Sequence, residues 1–215
     1  MSRIRLIAFS TLATLALGVV TASSAAAFAW WIETGEGKEE ILKLEAKEPF
    51  NSAATVAAPF KFKWKKEFEV SCEAASYQEA FLEGTVKLGA KSITFTKCKV
   101  MKPAGCKIKG EEIKTAALKG EIRQVGTAVE FILEPVTGTL VAKFEIEAVG
   151  VCAKKNVEIT GRAKGEIPNA SELTKEKFFL FQNKPESLEI EKTTLESTEG
   201  KVGYTSVTKK GWSAH

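Results

Sequence analysis

The side chains of this 215-residue chain from which chemistry could be built are 27 carboxylates, four thiols and one imidazole. Every carboxylate is a Glu, and Asp is absent. The single imidazole is His215, the last residue. A Ser–His–Asp or Cys–His constellation needs an imidazole held in a packed site, whereas a terminus is where chains fray. An EF-hand loop needs Asp or Asn at its first positions and finds none in place. Histidine-dependent catalysis and that calcium site are therefore excluded. Hydrolysis of a glycoside by two Glu carboxyls survives, because it asks only for two carboxyls about 5–10 Å apart in a cleft, one with a raised pKa. Against it stands the ordinary fate of Glu, solvated on a strand face. No catalytic residue is assigned.

The thiols are Cys72, Cys98, Cys106 and Cys152. Zinc sites usually show Cys-x2–4-Cys spacing or nearby His, and neither is present, so no metal ligands are assigned. Four cysteines in an exported chain read as two disulfides with three possible connectivities. The expected pairs are Cys98–Cys106, closing "CKVMKPAGC" where Pro103 and Gly105 supply a turn, and Cys72–Cys152, tying distant strands. No cofactor is expected.

Export itself is read from residues 1–29. Arg3 and Arg5 precede an apolar run from Leu6 to Val20, followed by "AAA" at Ala25–Ala27 and "AFA" at Ala27–Ala29. This is the three-part plan of a secretory signal peptide, with cleavage after Ala27 or Ala29, the latter preferred. The run is short for a span and is interrupted by Ser10 and Thr11. A membrane helix needs about 20 apolar residues, so no integral span is expected once the leader is removed. The formal charge of +4 falls to +4 − 2 = +2 without the two arginines. Lys and Glu are interleaved along the rest, which argues against nucleic acid as a partner.

The elements that must position these groups are strands. In "FKFKWKKEFEVSC" (60–72) Phe60, Phe62, Trp64, Phe68, Val70 and Cys72 share one parity; Lys61, Lys63, Lys65, Glu67, Glu69 and Ser71 share the other. Alternation sends the two sets to opposite faces, so this is a half-buried strand with a break near Lys65–Lys66. A nucleic-acid surface would need the aromatics and the cations on the same face. The same grammar recurs in "ILKLEA" (41–46), "AFLEGTVKLG" (80–89), "SITFTKCKV" (92–100), "CKIKGEEIKTAALKGEI" (106–122), "NVEITGRAKGEI" (156–167), "KFFLFQ" (177–182), "SLEIE" (187–191) and "KVGYTSV" (201–207). "AVEFILEP" (128–135), the turn "VTGT" and "LVAKFEIEA" (140–148) read as the clearest hairpin. Only 39–47 and 171–177 have helical potential. About ten strands without intervening helices predict an all-β domain over 30–215, an antiparallel sandwich or barrel stapled by disulfides. A lipid-facing barrel is disfavoured by the mixed Lys and Glu on the strand faces.

Trp30, Trp31, Trp64 and Trp212 have two readings. Most tryptophans are largely buried, but one exposed on a sheet can stack on a sugar ring. Trp30, Trp31 and Trp212 are the candidate ligand contacts. The sequon "NAS" (169–171) matters only in a glycosylating host.

The order of "WW", "EVSCEA", "SITFTKCKVMKPAGCKI", "EIKTAALKGEI", "FILEPVTGTLVAKFEIEAVGVC", "VEITGRAKGEI" and the closing "KKGWSAH" resembles a group of small secreted actinobacterial proteins, over most of 30–215. The resemblance implies export, one Cys-stapled β domain and the Cys72–Cys152 pairing. It implies no activity, cofactor or catalytic residue. The expectation is a secreted, non-enzymatic module, extracellular or on the cell surface, that binds a surface polymer or a protein or serves the envelope structurally. The two-Glu hydrolase is the alternative.

Overall fold

The computed structural model describes residues 30–33, 41–43, 48–52, 58–64, 68–84, 86–150, 152–174, 176–182, 188–190, 193–194, 197–206 and 212–214. Residues 1–29, where a leader is expected, the expected break at Lys65–Lys66 and His215 lie outside them. The architecture is all-β and antiparallel. A small sheet places β1 (Trp30–Glu33) between β2 (Ile41–Lys43) and β20 (Trp212–Ala214). Seventeen further segments form one large sheet.

Most of those segments are halves of longer strands that bend. In chain order they are β3 (Glu48–Ser52) with β4 (Ala58–Trp64), β5 (Phe68–Gln78) with β6 (Ala80–Glu83), and β7 (Lys87–Ala90) with β8 (Ser92–Lys102). The two-residue β9 (Lys107–Ile108) follows, then β10 (Ile113–Thr115) with β11 (Leu118–Val125), and β12 (Ala128–Pro135) with β13 (Leu140–Glu147). Next come β14 (Lys155–Gly161) with β15 (Ala163–Glu166), β16 (Glu176–Gln182) with β17 (Leu188–Ile190), and β18 (Thr193–Thr194) with β19 (Ser197–Ser206). Each bent strand pairs with its successor in both halves; Cys72 lies opposite Cys98 in β5–β8, for example, and Leu82 opposite Leu88 in β6–β7. The last returns to the first, with Glu199 opposite Lys61 and Thr205 opposite Asn51. The ladder is therefore a ring of eight up-and-down strands, closed so that its long edges are paired. The bends divide the ring into two layers stacked along its length. One holds β4, β5, β8, β10, β13, β14 and β17; the other holds β3, β6, β7, β11, β12, β15 and β16, and closes on itself through β19.

Bending costs ladder bonds, and a line of backbone bonds along the corner replaces them. Lys91 N donates to Gln78 O (2.9 Å), Ala116 N to Val141 O (2.8 Å), Val136 N to Ala117 O (2.8 Å) and Gly161 N to Thr139 O (2.9 Å). Three corner residues, Glu79 (φ 48°), Gly138 (φ 67°) and Gly161 (φ 105°), have a positive φ.

The bends cut the described residues into twenty segments, but these join into eight strands of the ring and three of the small sheet, in keeping with the roughly ten expected. Two other expectations are overturned. Residues 128–148 are not a hairpin: β12 pairs with β11 and β15, while β13 pairs with β10, β9 and β14. "VTGT" carries the chain from one layer to the other instead of folding it back. The stretches 39–47 and 171–177 contain β2 and the start of β16, and no helix among their described residues.

The disulfides also differ from the expected Cys98–Cys106 and Cys72–Cys152. They are Cys72–Cys98 and Cys106–Cys152. The reason is register. β8 runs through to Lys102, so Cys98 sits in mid-strand directly opposite Cys72, and both are buried. Cys106 lies beyond the turn at Pro103 and meets Cys152 in the β13–β14 connection.

Inside the ring, alternation performs as read. Phe60, Phe62 and Trp64 are buried, and Lys61 and Lys63 face out. Phe60 stacks near Phe95 (4.5 Å between centroids) and Phe181 (5.1 Å), and Phe181 meets Phe131 edge-on at 5.0 Å. Such pairs add about 0.5–1.5 kcal/mol each beyond burial. The residual void at this centre is about 30 Å³ and apolar, lined by Phe60, Phe95, Leu133 and Phe181 among others. That is room for roughly one water, with no polar partners to hold it. An eight-stranded ring is just wide enough for side chains to fill it, and here they do.

Phe131 is fully buried because its neighbour in β15 has no side chain. A β-carbon on Gly165 would overlap the Phe131 ring and the Leu180 carbonyl. Gly165→Ala should therefore lower unfolding stability by about 2–3 kcal/mol. Gly138→Ala, where nothing lies within 4 Å, should cost about 1 kcal/mol for its positive φ. Urea denaturation of both variants measures the contrast. Peptide mapping without reduction should recover Cys72–Cys98 and Cys106–Cys152. With separations of 26 and 46 residues, their loss should cost up to about 3.5 and 4 kcal/mol respectively.

Candidate binding surface

The small sheet closes one end of the ring. Trp30 is only 1% exposed, and its indole Nε1 donates to the Lys87 carbonyl at 3.1 Å. On the other side Ala214 N donates to Ala170 O at 2.7 Å. Trp30 is thus core, and its expected role as a ligand contact gives way to packing. Trp64 is core as well. Trp31 and Trp212 are held by backbone in this sheet, opposite Ser213 and Ile32; their side chains lie outside the described residues.

Among the described residues the interior is packed with apolar side chains, and the charged ones stand on the outer faces. On the layer built from β6, β7, β11, β12 and β15, cross-strand register sets outward side chains in rows. One row runs Glu83, Lys87, Glu121, Ile132, Lys164. The next runs Pro49, Phe81, Gly89, Lys119, Glu134. A third begins Arg123, Glu130, Glu166. Opposite charges face each other at Glu83–Lys87, Lys87–Glu121, Lys119–Glu134 and Arg123–Glu130, favourable cross-strand pairs, whereas Glu130 and Glu166 set two acids opposite each other.

Glu130 is the most enclosed of these carboxylates, with its side chain 4% exposed. Lys164 Nζ lies 2.9 Å from its Oε2, and Arg123 donates from Nε and Nη2 at 3.2 and 3.1 Å. The Lys164 hydrogen bond, with Arg123 behind it, holds the Glu130 carboxyl below the ordinary carboxylate range against the opposing pull of burial. Two exposed carboxyls are lowered in the same way, Glu73 chiefly by Lys99 and Glu145 chiefly by Lys154. A general acid in glycoside hydrolysis needs the opposite displacement. Among the described residues no group of three His, Cys, Asp or Glu side chains is placed to hold a metal ion.

Between the first two rows lies an open depression of about 500 Å³, lined by Phe81, Glu83, Lys87, Lys119, Glu121, Ile132, Glu134 and Arg162 among others. Glu134 is bridged by Arg162 (3.0 Å) and Lys119 (3.6 Å). A second depression of about 490 Å³ adjoins it at the corner, lined by Pro49, Ala80, Ala90, Lys91, Ala117 and Val136. Phe81 and Lys119 belong to both. Gly89 lets Phe81 lie across β7: a β-carbon there would meet the Phe81 ring at 2.7 Å and the Leu118 carbonyl at 2.7 Å. Phe81 thus lies over the strand in the place of a side chain. Sequence reasoning passed over this groove. Its signal was a glycine inside the apolar strand "VKLGA", which marks a close approach of another group.

Comparison with protein-family models, with curated proteins and with solved structures finds no match to this chain.

A lowered carboxyl stays charged in the fold at pH values where the unfolded chain has begun to protonate. Its stabilisation is present above the ordinary carboxylate range and is lost as pH falls through the lower, folded value. Glu130→Gln should accordingly lower stability at pH 7 by about 1.5–3 kcal/mol, the worth of hydrogen bonds to a buried charge. It should also flatten the acid limb of the stability profile below about pH 5, as followed by urea unfolding from pH 3 to 7.

Proposed function

We propose that the protein is an exported, non-enzymatic binding module that acts through the outer face of its closed ring on a polymer or protein of the cell envelope or extracellular space. The observation that carries this reading is the filled interior. The ring leaves a central void of about 30 Å³, while the wide, charged depressions beside Phe81 lie outside it. Catalytic and small-molecule sites are usually concave pockets of 300–1,000 Å³ that enclose their ligand. The grooves here have comparable volume but are open, as suits contact with a large partner. The two disulfides fit an oxidising compartment. The two-Glu hydrolase is the weaker reading, because the carboxyls that stand clear of the ordinary range are all lowered.

The test is co-sedimentation of oxidised mature protein with envelope isolated from the producing cell, at 0.1 M and 0.5 M NaCl. Pelleting that resists salt and falls at least tenfold in a folded Phe81→Ala variant is the expected result. Pelleting confined to low salt would reduce the interaction to lysine electrostatics and overturn the reading.

A further inference from the structure

We infer that the groove beside Phe81 takes an uncharged polysaccharide chain, with vicinal hydroxyls of the sugar bridging its carboxylate and cationic side chains. This deepens the reading of the outer face as the contact surface and rests on it.

Charge is the first argument. The first depression is lined by three acids, Glu83, Glu121 and Glu134, and by three bases, Lys87, Lys119 and Arg162. They alternate in register: Lys87 stands between Glu83 and Glu121, and Lys119 faces Glu134. A groove with balanced charge gives a polyanion or polycation no net attraction. Carboxylates accept hydrogen bonds, Lys and Arg only donate them, and a hydroxyl does both. Two adjacent hydroxyls therefore complement a neighbouring carboxylate–cation pair, one donating to Glu134 and the other accepting from Arg162 or Lys119.

Shape is the second. Phe81, laid over Gly89, and Ile132 form apolar ground between the charged groups, as a sugar ring needs under its C–H face. The two depressions share Phe81 and Lys119 and cross the strands from Pro49 in β3 to Arg162 beside β15. On a closed ring of eight strands those six strands reach more than halfway round, so the two depressions follow a curved outer surface. Two adjoining open depressions of that kind suit a chain rather than a single sugar. An extended peptide fits less well. It would add to a sheet through free main-chain groups at an edge, and these strands have partners on both sides.

The experiment uses the mature protein and the isolated envelope. Before pelleting, separate envelope samples are treated with periodate, which cleaves vicinal diols, or with a broad protease, or are stripped of phosphate-linked polymers by cold acid. Periodate alone should abolish pelleting, and the neutral polysaccharide fraction released from the envelope should compete. Phe81→Leu and Arg162→Ala, checked for native circular dichroism, should each weaken pelleting at least tenfold, while Lys143→Ala on the opposite layer should not. Pelleting that survives periodate and disappears with protease or with phosphate stripping would overturn the inference and leave the outer face as a contact surface for another partner. Salt-resistant pelleting that is periodate-sensitive yet unaffected in both groove variants would also overturn it, by placing the sugar elsewhere on the molecule.

Discussion

A sheet has two edges unless its last strand finds its first. Here β19 does so, pairing with β16 on one side and with β4 and β3 on the other. Main-chain groups at sheet edges are templates for association, and closing the ring removes them. Closure also fixes the interior. Once eight strands surround it, every inward side chain must fit a space of set width, and the aromatic cluster at Phe60, Phe95, Phe131 and Phe181 fills it. Among the described residues the void left at the centre is about 30 Å³ and apolar.

Two devices let the strands bend within a closed ring. Strands bend along one corner, where backbone bonds such as Val136 N to Ala117 O bridge from one bent strand to the next. Within the layers, glycines admit bulk from a neighbouring strand, Gly165 beneath Phe131 inside the ring and Gly89 beneath Phe81 outside it. The same substitution of backbone for side chain packs Phe131 inside the ring and lays Phe81 against its outer face. The disulfides reinforce different scales of this order. Cys72–Cys98 ties two adjacent strands within a layer, and Cys106–Cys152 joins two connections across 46 residues.

Much of the fold was legible because alternation reports directly on which face of a strand is buried. Phe60, Phe62, Trp64, Val70 and Cys72 are all inside, as their parity requires. What alternation does not report is the partner of a strand. "VTGT" has the composition of a turn whether the chain reverses or merely changes layer, so β12 and β13 read as a hairpin although each pairs elsewhere. The disulfides failed for a related reason. Loop closure in the sequence favoured Cys98 with Cys106, but ladder register, a tertiary property, set Cys98 against Cys72. The tryptophans were singled out because one exposed on a sheet can stack on a sugar ring, and Trp30 proves to be buried. The residues of the groove were common Lys and Glu, whose meaning comes only from the rows into which register assembles them.

Native-state hydrogen exchange tests closure most directly, since an open sheet would fray at the strands that should seal it. The closed ring predicts that the ladder amides of Phe60–Lys63 and Ser197–Glu199 open with a free energy close to that of the ladder amides in Glu121–Gln124 and Val129–Ile132, near the global value. Exchange of the β4 and β19 amides at the rate of exposed loops, with β11 and β12 still protected, would contradict it. It would mean an open sheet whose edge and interior are available to ligands.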